Sequence, residues 1–202
     1  MPRRRRYDPL KRAFDFFVAV AVLPLLLPIL AACAIAIRLD SPGPIVFAQL
    51  RTGQHGRRFK MYKFRTMVKD AEELKESLRH LSIVPYPDFK VPNDPRITRI
   101  GRILRATSFD ELPQIWNILN GDMSLVGPRP TSFGADTYDL WHTRRLEVRP
   151  GITGMWQIYG RNTTDFDERI RLDEYYARNR SPWLDLKILV LTIPAVLRRE
   201  GA

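Results

Sequence analysis

The chain has one cysteine, Cys33, and three histidines, His55, His80 and His142, among 202 residues. A single thiol excludes a disulfide framework and a cysteine-based zinc site, and it is compatible with a reducing compartment. The histidines are scattered, and none has the context of a catalytic triad. Also absent are a GxxxxGK loop, an HExxH pair, a paired CxxC and a GxGxxG turn. P-loop nucleotide hydrolysis, zincin chemistry and Rossmann dinucleotide binding therefore have no support. Whatever chemistry is present must come from carboxylates and cations. Acid is in short supply: 22 Asp and Glu face 33 Lys and Arg, a net charge of +11. That balance requires an anionic partner, whether lipid headgroups, nucleic acid or a phosphorylated substrate. The length suits one domain of ordinary size with its own core.

Charge is missing entirely from Phe16 to Ile37, 22 residues. At about 1.5 Å per helical residue this stretch covers the roughly 30 Å hydrocarbon core of a bilayer. It is too long for a signal peptide, and no small-residue cleavage site precedes Arg38. Pro24 and Pro28 sit inside it, each removing a helix hydrogen bond and favouring a kink or turn. Six basic residues precede it, and Arg38, Arg51, Arg57 and Arg58 follow, so the positive-inside rule places both flanks in the cytoplasm. A helix that enters one leaflet, breaks near Pro24 to Pro28 and returns satisfies both flanks; a simple span and a buried soluble helix are the alternatives. Residues 1–38 are read as the basic N-terminus and membrane helix, and 39–202 as the catalytic domain.

Beyond the membrane segment, Ile45–Phe47 and Phe59–Arg65 read as strands, with Lys63 and Arg65 on one face of the second. Two cations side by side suit a diphosphate, or a solvated strand edge. A polar helix is expected over 69–81, and a four-proline loop over 82–95 that could act as a flap. Arg96, Arg99, Arg102 and Arg105 recur every third residue beside Ile97, Ile100 and Leu104, predicting a short amphipathic helix with a basic ridge. Met123–Val126 reads as a strand running into the stiff loop Gly127–Pro130, which holds Arg129. Trp156–Tyr159 reads as a further strand, and Thr164 as the cap of a helix carrying Phe166, Ile170, Asp173 and Ala177 on one face. Asp173 thus stands where a core residue is expected, either in an ion pair with an arginine or organising the cations of a site. Trp183–Leu197 is apolar, too short to span, and suited to the membrane surface.

The centre of the chain is Ser108-Phe109-Asp110-Glu111-Leu112-Pro113-Gln114, two adjacent carboxylates at a helix start just after the arginines. Free N–H groups there favour ionised carboxylates and bind phosphate. Ser108 and Glu111 also match a capping box, a purely structural device, and the local residues leave both readings open.

Taken in order, the basic N-terminus with its proline-bearing membrane helix, Lys63-Phe64-Arg65-Thr66-Met67, the segment 108–114, Gly121–Pro130 and Arg149–Gly154 resemble the bacterial monotopic phosphoglycosyl transferases. The match covers nearly the whole chain. One departure is the helix break, where that family often has Ser-Pro and this sequence has Leu23-Pro24 followed by Pro28. The resemblance implies transfer of a sugar 1-phosphate from a UDP-sugar to polyprenyl phosphate, with Mg2+ and release of UMP, at the cytoplasmic face of the bacterial inner membrane. It implies Asp110 as nucleophile of a covalent phospho-aspartyl step, with Glu111 helping to hold the metal, and Asp173 and Arg161 near the site or nucleotide. Lys63, Arg65, Arg105 and Arg129 are the candidate phosphate-binding cations.

Two alternatives stand beside this reading. In one, a similar transferase works by single displacement, with Asp110 and Glu111 as metal ligands only. In the other, the chain is a non-enzymatic basic membrane-binding module; a nucleic-acid version lacks aromatic stacking platforms among basic strands. The fold expected is α+β: a compact domain with a small sheet from segments near 45, 60, 125 and 157, amphipathic interfacial helices, and the re-entrant helix. A homo-oligomer is compatible with the sequence.

Overall fold

A computed structural model describes residues 2–84, 89, 91–132, 134, 140–160 and 166–197. Arg161, Thr164 and part of the 82–95 loop lie outside these residues.

The longest element is α1, Pro2–Asp40. Its first turns are built into the body. Tyr7 Oη and Lys11 Nζ both donate to Asp185 Oδ2 at 2.5 Å, and Leu125 N donates to Asp15 Oδ1 at 3.3 Å. Its apolar part is largely bare: Phe17 is 69% and Leu25 72% exposed, with Ala19, Cys33 and Ile37 buried. Among the described residues this is the one helix long and apolar enough to cross a membrane. Pro24 and Pro28 lie inside it, with helix on either side.

β1 (Val46–Thr52) and β2 (Arg58–Phe64) form an antiparallel ribbon with Phe47 opposite Lys63. The helix expected over 69–81 shrinks to α2 (Glu73–Ser77) and a 3₁₀ turn at Arg79–Leu81. Its stripe found no core: Leu74 and Leu81 stay exposed, so packing does not sustain the helix. α3 (Arg99–Thr107) starts at Thr98, whose hydroxyl accepts from Gly101 N at 3.0 Å. Arg96 therefore falls outside the expected ridge. It is buried and paired with Asp94 at 2.6 Å, leaving Arg99, Arg102 and Arg105 on the helix. A side chain at Gly101 would place Cβ 2.1 Å from Thr66 O, so only glycine lets α3 lie this close to the end of β2.

A 3₁₀ segment, Phe109–Gln114, leads into α4 (Ile115–Asn120), which stops at Gly121 with φ +86°. β3 (Ser124–Val126) pairs in parallel with β4 (Gly151–Thr153). Among the described residues the strands thus form two separate two-stranded sheets instead of one small sheet, and the segment near 157 is in neither. Trp156–Tyr159 belongs to a short helix, α5 (Met155–Tyr159). A brief aromatic run fits helix or strand by periodicity alone, and here Gly154 ends the strand before it. α6 (Phe166–Asn179) and α7 (Pro182–Leu197) complete the fold, α7 exposing Trp183, Leu186, Val190 and Ile193 along its length.

Three apolar clusters hold these parts together, and α1 contributes to two. Ala19 packs with Phe59, Met61, Ile115, Ile118 and Met123; Cys33 and Ile37 pack with Phe64 and Leu104. The third joins Val126, Val148, Tyr176 and Ile188. The membrane helix is thereby part of the scaffold beneath α3 and α4.

Candidate active site

A cavity of about 620 Å³ opens where β2, the end of α3 and the 3₁₀ segment meet, with Lys63, Arg65, Arg105, Asp110, Glu111 and Arg129 in its wall. Ser108 sits at the turn between α3 and the 3₁₀ segment with φ +59°, a conformation rare for a side chain larger than glycine. Its hydroxyl makes no cap bond. The capping box therefore does not form, and the strained turn instead swings the two carboxylates into the cavity.

The two acids have unlike surroundings. Glu111 Oε1 accepts from Lys63 Nζ at 2.8 Å and from Arg129 Nη2, while Arg129 Nη1 reaches Oε2 at 3.3 Å. Burial alone would raise its pKa, but Arg129 and then Lys63, by charge and hydrogen bond, hold it well below the usual carboxylate range. Asp110 accepts no hydrogen bond among the described residues; its nearest cation is Lys63 Nζ at 3.8 Å. Burial raises its pKa and the Glu111 charge adds to that, against the pull of Lys63, Arg129 and Arg105. One carboxylate is a fixed anion, and its neighbour accepts no hydrogen bond among the described residues.

The Arg129 loop is held by close backbone crossings. A Cβ on Gly127 would lie 2.3 Å from Arg149 O, and one on Gly154 2.2 Å from Gly127 O. That contact explains why Gly127–Pro130 and Arg149–Gly154 occur together: each motif's glycines admit the other's backbone. Behind the loop, Arg145 donates to Arg129 O at 2.5 Å and pairs with Asp173 at 2.6 Å. Asp173 is 1% exposed, and burial raises its pKa to about 6 against the opposing charge of Arg145. The ion pair expected for Asp173 is present, and it also braces a cation of the cavity.

The other expected residues divide. Arg105 Nε donates to Thr66 Oγ1 at 2.9 Å and faces the cavity. Arg65 lines the cavity but gives Nη2 to Ser41, to its carbonyl at 2.7 Å and its hydroxyl at 2.9 Å. It ties β2 to the chain leaving α1. Pro24 and Pro28 are in the exposed apolar helix, apart from the cavity, and Arg161 is outside the described residues. Thr66, Arg51, Trp156 and Gln157 also line the cavity. Thr66 lies in the Lys63–Met67 motif with no role assigned to it, Arg51 reads from sequence only as part of the basic flank of the apolar segment, and Arg145 carries no sequence signal.

No group of three or more metal-ligating side chains occurs among the described residues. Mg2+ would bind through one or two carboxylates plus phosphate oxygens and waters. Asp110, with its unbonded oxygens, and Glu111 beside it supply hard oxygen donors of the right kind.

The sequence model of the bacterial sugar transferase family matches residues 6–199. The chain belongs to the bacterial sugar transferase family. It is 44% identical over 198 residues, 96% of its length and 41% of the relative's, to the undecaprenyl-phosphate galactose phosphotransferase of Salmonella typhimurium. To the exopolysaccharide production protein ExoY of Rhizobium meliloti it is 38% identical over 197 residues, 95% of this chain and 87% of that one. The Aeromonas hydrophila UDP-N-acetylgalactosamine-undecaprenyl-phosphate N-acetylgalactosaminephosphotransferase shares 39% over 203 residues, 97% of this chain and 45% of the relative. The chain thus spans about two fifths of some relatives and most of others.

Proposed function

We propose that this family member transfers a sugar 1-phosphate from a UDP-sugar to polyprenyl phosphate, giving polyprenyl-diphosphate-sugar and UMP as a membrane step of polysaccharide synthesis. The observation that carries the reading is the pairing of an unbonded Asp110 carboxylate with a Glu111 already neutralised by Lys63 and Arg129, in one cavity. Relatives whose names specify undecaprenyl-phosphate sugar phosphotransferases support the substrate class.

Asp110 attacks the sugar-bearing phosphorus of the donor. The bond to the second phosphate breaks, its electron pair leaving with UMP, and the sugar phosphate stays on Asp110 as an acyl phosphate. A polyprenyl phosphate oxygen then attacks the same phosphorus, and the electrons of the Asp–phosphorus bond return to the carboxylate. Lys63, Arg105 and Arg129 offset the charge that gathers on the phosphoryl oxygens, the usual dominant contribution in such reactions. Mg2+, held by Asp110 and Glu111, would supply further charge neutralisation on the diphosphate.

In this reading α1 enters and leaves the cytoplasmic leaflet of the inner membrane, breaking at Pro24 and Pro28, and the exposed stripe of α7 rests on the headgroups. Residues 1–38 anchor and 39–202 catalyse. Steady-state kinetics test the two-step scheme: varying donor and acceptor should give the parallel double-reciprocal lines of ping-pong transfer, whereas intersecting lines would favour single displacement.

A further inference from the structure

A second cavity, about 350 Å³, adjoins the first and shares Arg51, Met67, Glu72, Arg129 and Trp156 with it. Six cations line it, Arg51, Lys75, Arg96, Arg129, Arg145 and Arg169, against two carboxylates, Glu72 and Asp173. Its floor is aromatic. The Arg169 guanidinium lies 5.7 Å from the Trp156 ring centroid and 5.6 Å from that of Phe166. Among the described residues, none of α1, α3, α4 or α7 borders it, so the exposed apolar faces of α1 and α7 do not line it. Cations and aromatic rings together suit a water-soluble anion with a flat ring better than a prenyl tail.

Resting on the transfer proposed above, we propose that the two cavities divide the donor: the sugar phosphate occupies the first, and the nucleoside monophosphate half occupies the second, its base against the Trp156–Arg169–Phe166 wall. Bases stack on aromatic rings and on guanidinium planes whatever their edge pattern. Arg129, common to both cavities, stands where the bridging diphosphate crosses between them. The arrangement suits a two-step reaction. After the first bond breaks, the nucleotide leaves by its own compartment, away from the membrane, while the sugar phosphate stays on Asp110 for the lipid.

The test measures UMP binding by titration calorimetry on the full chain in detergent micelles, with inorganic diphosphate as a probe of the phosphate-binding cations apart from the base wall. Arg169→Gln and Phe166→Leu should each weaken UMP and raise the donor KM about tenfold, leaving diphosphate affinity and the KM for polyprenyl phosphate unchanged. Unchanged UMP affinity in both variants overturns the proposal, as does a parallel loss of diphosphate binding, which would mark general damage to the site. Binding needs no turnover, so the two readings fail separately. If the variants lose UMP affinity while wild type binds UMP yet transfers no sugar phosphate, the second cavity is a nucleotide site and the transfer reading falls. If wild type transfers sugar phosphate but the variants bind UMP normally, the transfer reading stands and the division of the donor falls.

Discussion

Asp185 and Asp110 are both carboxylates largely withdrawn from water, 6% exposed for Asp185 and 13% for the side chain of Asp110, and their surroundings could hardly differ more. Both oxygens of Asp185 are engaged: Tyr7 and Lys11 donate to one, and Tyr176 donates to the other at 2.7 Å. The cluster joins the start of α1 to α7, residues 178 positions apart, and leaves nothing free to react. Around Asp110 the cations are present, but they are committed to Glu111. A satisfied polar network fixes geometry, whereas one that leaves a member unbonded stores reactivity. The first kind holds the start of α1 to α7, and in the proposed mechanism the second supplies the nucleophile.

The comparison breaks most visibly at Arg129. Arg129→Gln leaves Glu111 with Lys63 as its cationic partner and removes a charge beside the reacting phosphate, so kcat should fall by roughly 10²- to 10³-fold. Assay of UMP release, normalised to folded protein, checks this. The reverse split is expected at the anchor. Asp185→Asn removes the charge shared by Tyr7, Lys11 and Tyr176 and leaves Lys11 with the more distant Asp15, 3.7 Å away; it should cost about 3 kcal/mol of stability, read by chemical denaturation, with kcat per folded molecule unchanged. A loss of kcat comparable to that of Arg129→Gln would erase the distinction between the two centres.

The smallest effect sharpens the comparison through pH. Asp173 has its folded pKa raised to about 6 from an ordinary value of 3.8. The folded state therefore binds this proton more tightly than the unfolded chain does. Stability from this group is fully present below pH 4 and declines as pH rises through the window up to about 6. The melting temperature of wild type relative to Asp173→Asn should accordingly fall between pH 4 and 6 and level off above. A difference that stays flat would mean Arg145 fully offsets the burial of Asp173.

Much of the site was legible because its parts are short, local and chemically distinctive. Lys63, Asp110, Glu111 and Arg129 stand in motifs whose spacing signals their type, and they meet in one cavity. The capping box was misleading because Ser-x-x-Glu is a local pattern, while the left-handed turn at Ser108 is set by the junction of α3 with the following segment. Trp156–Tyr159 reads as a strand from sequence because four residues are too few for periodicity to decide. Arg12 shows what sequence spacing conceals. It donates to Leu119 O at 2.7 Å and to Ile118 O, capping the C-terminal end of α4 from the membrane helix. More than 100 positions separate the partners, and nothing in either segment announces the other.

The most direct measurement is intact mass spectrometry of the purified protein incubated with Mg2+ and a panel of UDP-sugars without lipid acceptor, comparing wild type with Asp110→Asn. A sugar-phosphate adduct on wild type, absent in Asp110→Asn and discharged by polyprenyl phosphate, is the result predicted here. UMP release that requires donor and lipid together, with no adduct on the protein, would contradict it and make Asp110 a metal ligand in direct transfer.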